Sequence, residues 1–357
     1  MRRLPIFLLI DVSESMLGQN LYSLEEGVAS ILSALRKDPY ALESVYVSII
    51  VFAGKAKTVL KLTDLISVTA PELPVGGGTA LGSALNHLMD EIQKVVVLTT
   101  PDRKGDWKPI VFLLTDGHPT DDTRGATARW NEKFRSRAHL VAVSIGDGAD
   151  VQLLQSITDD VLIFDDKDPS AFSEFITWMS MSIQSHSRSV HGVDQSRVQL
   201  SKIDSDVVQR AEKYSENMKT FGVDDRYAVF LAKCSSTKLP YLVKFERMFE
   251  KALTSDPALS EMFRPKRYSL AYTAPVKNSY FELSGDHLSG EKISSAELVG
   301  QPQCPHCNAR YGLANCSCGG VHCIKSGGEN TCPWCGNIGT YGAVEAGGTI
   351  DFKRGRG

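Results

Sequence analysis

The sequence predicts an open, doubly wound α/β domain with a mostly parallel sheet, followed by a smaller α+β or β-rich region that binds metal. Three observations carry this expectation. Apolar runs without alternation, Leu4 to Ile10 and Ile110 to Leu114, lead straight into polar loops that contain aspartate. Such runs suit strands covered on both faces. They alternate with segments whose apolar residues recur at helical spacing. Seven of the eight cysteines lie between Cys304 and Cys335.

The elements follow in order. Leu4 to Ile10 is a buried strand, and Leu21, Leu24, Val28, Ile31, Leu32 and Leu35 mark the helix after it. Val45 to Phe52 is the second strand, with Ala56 to Leu62 as its hairpin partner. Leu81, Leu85, Leu88, Ile92 and Val95 mark another helix, and Ile110 to Leu114 the next strand. A helix over 122–137, a strand from Leu140 to Ile145, a strand from Val161 to Phe164 and a helix from Ala171 to Ile183 complete the first domain, 1–185. The polar stretch beginning Ser185-His186-Ser187-Arg188-Ser189 reads as a linker over 186–203. A small unit over 204–300 follows, with a helix near 205–219. Its strands are Tyr227 to Ala232, Leu239 to Phe245, Tyr268 to Tyr272 and Tyr280 to Leu283. A zinc-binding segment, 301–340, either stands alone or forms one unit with it. Lys353, Arg354 and Arg356 read as a solvated terminus.

Composition narrows the function. A net charge of -3 gives no support for a broad nucleic-acid surface. Between Gln301 and Gly336 the only basic side chains besides histidine are Arg310 and Lys325. The seven-residue run from Leu4 is far shorter than the roughly 20 residues a membrane helix needs. No small-residue cleavage site follows it, so it reads as a strand and not a signal peptide. We therefore expect a cytoplasmic protein. In that reducing setting, clustered cysteines argue for metal over disulfides. Cys234, apart from the rest, reads as a small buried hydrophobe.

Two constellations carry chemistry. In the first, Asp11, Ser13 and Ser15 follow the first strand directly, Thr79 follows Gly76-Gly77-Gly78, and Asp116 follows the central strand in Leu113-Leu114-Thr115-Asp116-Gly117. In a doubly wound sheet these loops share one edge, where ligands bind. Carboxylates and hydroxyls are hard ligands suited to Mg²⁺ or Mn²⁺. Each of these residues taken alone reads more simply as a cap or turn. Asp121 and Asp122 are expected to cap the next helix. An aspartate after the first strand also fits a phosphatase of haloacid-dehalogenase type, but the second acid needed two residues on is Ser13. Gly76-Gly77-Gly78-Thr79 lacks the lysine of a P-loop. No Ser-His-Asp or Cys-His nucleophile arrangement emerges, and His118 reads as a surface side chain.

In the second, Cys304 and Cys307, Cys316 and Cys318, His322 and Cys323, and Cys332 and Cys335 form four close pairs. A two-residue gap lets both thiolates of a pair reach one tetrahedral ion. Seven cysteines with His322 or His306 supply eight ligands, enough for two closed zinc sites. The alternative is a single Cys304/Cys307/Cys332/Cys335 site. The zinc is expected to be structural, since so short a segment cannot bury a core of its own.

Asp-x-Ser-x-Ser, Gly-Gly-Thr and Thr-Asp-Gly, in this order, resemble the metal-ion-dependent adhesion site of von Willebrand factor A domains. The resemblance implies that Asp11, Ser13, Ser15, Thr79 and Asp116 approach one divalent cation. It also implies that one coordination position is left for an acidic residue of a protein partner. With the Cys-Pro-x-Cys pairs and Thr-Asp-Gly-His-Pro-Thr-Asp-Asp, the chain resembles TerY-type proteins associated with bacterial tellurite resistance and stress response. That implies a non-catalytic scaffold or regulator in a phosphosignalling complex, with a Ser/Thr kinase-like protein and a PP2C-type phosphatase as partners. Some relatives of the domain act with AAA-type ATPases, which is the second possibility.

Overall fold

The computed structural model describes residues 2–146, 148–164, 169–189, 208–210, 226–248, 267–285, 292–342 and 349–354. The chain divides into two compact units, Met1–Gly222 and Val223–Gly357.

The first unit is built on a seven-stranded sheet. Its strands are β1 (Leu4–Asp11), β2 (Val45–Phe52), β3 (Ala56–Asp64), β4 (Ile110–Thr115), β5 (His139–Ile145), β6 (Asp160–Phe164) and β7 (Val208–Arg210). The spatial order is β3-β2-β1-β4-β5-β6-β7. The five strands from β2 to β6 run parallel, and β3 and β7 close the edges antiparallel. The helices are α1 (Gln19–Arg36), α2 (Pro39–Ser44), α3 (Leu81–Val95), α4 (Arg124–Lys133), α5 (Val151–Ile157) and α6 (Pro169–Ser189). Every residue of β1 and β4 is buried, which explains their unalternating sequence.

Alternate residues of each central strand face opposite helical layers. Phe7, Leu9, Val111 and Leu113 join Leu85, Leu88 and Trp130 of α3 and α4 in one core. Phe112 points the other way and meets Trp178 of α6 edge-on, with ring centroids 6.4 Å apart. The chain leaves β1 toward β2 on one side and later enters β4 on the other. The switch between β1 and β4 is the crevice where open α/β sheets bind ligands.

The helix α6 runs through residues 186–189, the start of the expected linker. Arg188 pairs with the buried Asp38 at 2.5 Å and His186 and Ser187 are buried, so this polar stretch is held against the domain. Of the helix expected near 205–219, residues 208–210 form strand β7; the rest, like 190–203, lies outside the described residues.

The second unit has a six-stranded sheet in the order β12-β10-β9-β8-β14-β13. These are β8 (Tyr227–Lys233), β9 (Pro240–Arg247), β10 (Tyr268–Pro275), β12 (Leu298–Val299), β13 (Tyr311–Asn315) and β14 (Val321–Ile324). Strands from 227–299 and from the cysteine segment share this sheet, so the middle region and the cysteine segment form one unit. The expected strand Tyr280 to Leu283 is instead the helix α7 (Ser279–Leu283), whose buried Tyr280 and Leu283 stand three residues apart on one face. The basic terminus is not a free tail through Arg354. Strand β17 (Asp351–Lys353) pairs with β11 (Lys292–Ser294), and Arg354 is buried. Arg356 lies outside the described residues. A last hairpin joins β15 (Gly328–Thr331) to β16 (Ile338–Tyr341). Among the described residues, no helix is long and apolar enough to cross a membrane.

Candidate metal centres

Three loops meet at the carboxyl ends of β1 and β4. The first carries Asp11, Ser13 and Ser15, and a 3-10 turn over Glu14–Met16 tightens it. The second is the glycine-rich loop before α3, and the third follows β4. Backbone hydrogen bonds tie them together. Gly76 N–H donates to Val12 O at 3.0 Å, and Ala80 N–H to Ala53 O at 2.6 Å. Thr120 N–H reaches Thr79 O and Thr79 N–H reaches Thr120 Oγ1, each at 2.9 Å. Gly78 takes φ of +91°, a conformation that favours glycine and lets the loop turn into α3.

The side chains of these loops lie close together. Asp11, Ser13, Ser15, Thr79 and Asp116 are all buried. Ser13 and Ser15 hydroxyls lie 2.8 Å apart, and Ser15 Oγ donates to Asp116 Oδ1 at 2.7 Å. Asp11 is fixed by Ser13 N–H on Oδ1 at 2.9 Å and by Thr115 Oγ1 on Oδ2 at 2.6 Å. A methyl group built on Gly117 would stand 3.6 Å from Thr79 Oγ1 and 3.7 Å from Ser15 Oγ, so those hydroxyls flank one point.

The electrostatics of this arrangement suit a cation. Burial, then the charge of Asp116, push the Asp11 carboxyl up to about 7, against hydrogen bonds from Ser13 and Thr115. Two buried carboxylates that disfavour each other's ionisation are stabilised together by a divalent ion between them. The donors are all oxygen, so the ion they fit is hard.

The second unit holds two sulfur clusters. Cys234, Cys304, Cys307 and Cys323 form one, and Cys316, Cys318, Cys332 and Cys335 the other, with all sulfurs of a cluster within 4.8 Å of one another. Sulfurs placed about 2.3 Å from a central zinc form a tetrahedron with edges of about 3.8 Å. Cys307 and Cys323 sulfurs are 3.7 Å apart, Cys316 and Cys335 3.8 Å, and Cys318 and Cys332 3.8 Å. These are far longer than a disulfide bond of about 2.05 Å. The clusters fit two four-thiolate zinc sites.

Each site is built from a repeated turn. Cys304 N–H donates to Ala309 O, and Asn308 N–H to Cys304 O; Cys332 N–H donates to Asn337 O, and Gly336 N–H to Cys332 O. Asn308 at φ +55° and Gly336 at +78° close these two turns in the left-handed region. Cys234 N–H donates to Leu239 O and Lys238 N–H to Cys234 O, with Lys238 at +62°. That third turn is the same knuckle with Thr237 where the others have their second cysteine. Cys323 supplies the missing sulfur. The parallel pairing of Val321 with Ala232 and His322 with Lys233 brings it beside Cys234. Burial opposes the Cys234 thiolate, but donors from Thr237, Ser236 and Cys307 outweigh it and bring the thiol down to about 6. Burial pushes Cys304 and Cys323 up. Backbone donation from Cys318 brings Cys316 down to about 6.

The family model of the von Willebrand factor type A domain matches residues 6–178, and that of the TerY-C metal binding domain matches 224–357. The chain joins a von Willebrand factor type A domain to a TerY-C metal binding domain. Solved structures resemble it more distantly. A von Willebrand factor type A protein from Catenulispora acidiphila is 20% identical over 51% of this chain and 43% of its own, with a TM-score of 0.42. BatB from Bacteroides thetaiotaomicron is 20% identical over 51% of this chain and 98% of its own, at 0.37. Proximal thread matrix protein 1 from the mussel byssus, with a zinc-occupied MIDAS motif, is 18% identical over 50% and 46%, at 0.36. The chain thus spans less than half the length of the first of these. Comparison with curated proteins gives no match.

Among the described residues the eighth member of the two clusters is Cys234, and His322 belongs to neither. Both nitrogens of the His322 ring have other partners: Nε2 lies 2.8 Å from Tyr341 Oη and Nδ1 3.2 Å from Ser235 Oγ. His306 is in neither cluster, and its Nε2 lies 2.9 Å from Pro240 O. Cys234 was legible in principle, because Cys-Ser-Ser-Thr-Lys sits between two strands as a knuckle with half its cysteines. Asp121 also differs from expectation. Its carboxylate accepts from Gly82 N–H at 3.1 Å and Ser83 N–H at 2.9 Å, so it caps α3 and not the helix after it. Asp122 serves the following helix, accepting from Arg124 N–H at 3.0 Å.

Proposed function

We propose that this protein is a metal-dependent protein-interaction module. Asp11, Ser13, Ser15, Thr79 and Asp116 hold Mg²⁺ or Mn²⁺ as an adhesion site and offer an open position to a carboxylate on a partner protein. The observation that carries the reading is the bridge from Ser15 to Asp116. It draws the two carboxylate loops onto one buried point, where the five named side chains offer oxygen ligands. A partner carboxylate that replaces water on the ion adds charge compensation, so partner binding depends on the metal. The two four-thiolate clusters hold zinc and fold the second unit, whose six-stranded sheet depends on them for the Cys234–Cys323 junction.

In this reading the protein is a non-catalytic scaffold or regulator in a bacterial stress or tellurite-resistance phosphosignalling complex in the cytoplasm. A Ser/Thr kinase-like protein and a PP2C-type phosphatase are its partners. The support is the pairing of a von Willebrand factor type A domain with a TerY-C metal binding domain in one chain. A haloacid-dehalogenase-type phosphatase would need an acid two residues after Asp11. Ser13 stands there, with its backbone and hydroxyl engaged by Asp11 and Ser15. The test is affinity capture from the native host with Mg²⁺ and with EDTA, followed by identification of the bound proteins. A kinase or phosphatase retained only with Mg²⁺ supports the reading. An AAA-type ATPase would move the assignment to the second possibility, and phosphate-ester turnover lost in Asp11→Ala would replace it with an enzyme.

A further inference from the structure

The two sulfur clusters differ in what surrounds them. Cys234, Cys304 and Cys323 are sealed in an apolar core with Phe230, Tyr241 and Val243, and Cys307 packs against it. In the other cluster Cys316 and Cys332 are buried while Cys318 and Cys335 are exposed. The sulfur of each exposed cysteine lies 3.8 Å from that of a buried one, Cys335 from Cys316 and Cys318 from Cys332. A thiolate reacts with electrophiles according to its access, and a second sulfur nearby resolves the product.

Resting on the zinc reading above, we propose that the Cys316/Cys318/Cys332/Cys335 cluster is an oxidant-modified site. Small hydroperoxides release its zinc, while the Cys234/Cys304/Cys307/Cys323 site keeps its own. The exposed Cys335 thiolate attacks one peroxide oxygen. The O–O bond breaks, hydroxide leaves, and Cys335 becomes a sulfenic acid. The Cys316 thiolate then attacks that sulfur. The S–S bond forms, the S–O bond breaks and a second hydroxide leaves. Solvent protons convert both hydroxides to water. Two cysteines lose two electrons in total and the peroxide gains them. Cys318 and Cys332 alone no longer close a four-thiolate site, and the ion is lost.

The geometry also says what the release does. Trp334, inside the Cys332–Cys335 turn, donates from Nε1 to Val321 O at 2.6 Å and carries Lys233 Nζ 4.9 Å over its ring. A Cβ on Gly320 would stand 2.5 Å from Trp334 Cδ1, so the ring fills the space this glycine leaves open. Opening the cluster frees this knuckle and unseats Trp334 from the strand that leads to Cys323.

The experiment treats the zinc-loaded full chain with hydrogen peroxide. It follows zinc with a chromophoric chelator, tryptophan emission, and the cysteines by alkylation and peptide mass spectrometry. Zinc content is measured first. We expect two ions per chain, one of them released at least tenfold faster than the other. A disulfide should form within Cys316, Cys318, Cys332 and Cys335, with an emission change that Trp334→Phe abolishes and that dithiothreitol with zinc reverses. Two ions that leave at one rate, no release, or first oxidation at Cys234, Cys304, Cys307 or Cys323 would overturn the proposal while leaving the zinc reading intact. A chain that purifies without zinc overturns both.

Discussion

Ser15 Oγ donates a 2.7 Å hydrogen bond to Asp116 Oδ1, joining loops 101 residues apart in sequence. With Asp11 held by Ser13 and Thr115, this bond pre-positions the oxygens that would surround a cation. Asp11→Ala and Asp116→Ala each remove a charged donor. Partner affinity should fall at least tenfold, about 1.4 kcal/mol. Titration calorimetry at saturating Mg²⁺, with circular dichroism to check folding, measures this. An unchanged affinity in both folded variants would place the partner on another surface.

Asp121 lies near this site but acts differently. It caps α3 through Gly82 and Ser83 N–H, and a Cβ on Gly82 would stand 2.8 Å from Asp122 O. Asp121→Ala should cost about 1 kcal/mol of stability, as lost caps do. Mg²⁺ affinity should change less than threefold. Chemical denaturation and metal titration on the same variant separate the two effects.

The pH dependence of the Mg²⁺-free domain should carry the mark of Asp11. Its carboxyl is pushed up to about 7, above the ordinary 3.8. Between those values the folded state holds the extra proton, so Asp11 weakens stability as pH rises from about 4 to 7. His186 works oppositely, since burial holds its pKa down to about 4 and acid costs stability there. Comparison with Asp11→Asn isolates the first effect. Wild type should gain on the variant as pH falls from 8 to 5 in thermal unfolding without Mg²⁺ or Mn²⁺.

Cys234 and His322 make a paired test of the zinc assignment. Cys234→Ala should lower zinc content from two ions per chain toward one, and His322→Phe should leave two. Elemental analysis of the purified variants decides it. A loss on the histidine change alone would restore His322 as the ligand.

What the sequence made legible follows from how locally each feature is encoded. The strands β1 and β4 announce themselves because burial on both faces leaves no polar position, and their loops carry Asp11 and Asp116 at once. Helix α7 reads as a strand in the sequence because five residues are too few to show a period and the aromatic pair Tyr280-Phe281 favours strands; the three-residue spacing of Tyr280 and Leu283 is its helical signal. Cys234 was missed because its site closes through the parallel pairing of β8 with β14, between residues some ninety positions apart. Asp121 was assigned to the wrong helix for the same reason: its partners Gly82 and Ser83 lie a whole crossover earlier.

Under the proposed function, five buried side chains at the β1–β4 switch hold one hard divalent ion. Mn²⁺ binding, followed by the paramagnetic resonance of the free ion on zinc-loaded full chain, tests it most directly. Hard Mn²⁺ is not expected to compete for four-thiolate sites. One Mn²⁺ per wild-type chain is expected, displaced by excess Mg²⁺ and lost in folded Asp11→Ala and Asp116→Ala. No bound Mn²⁺ in the wild type, or binding that survives both substitutions, would contradict it.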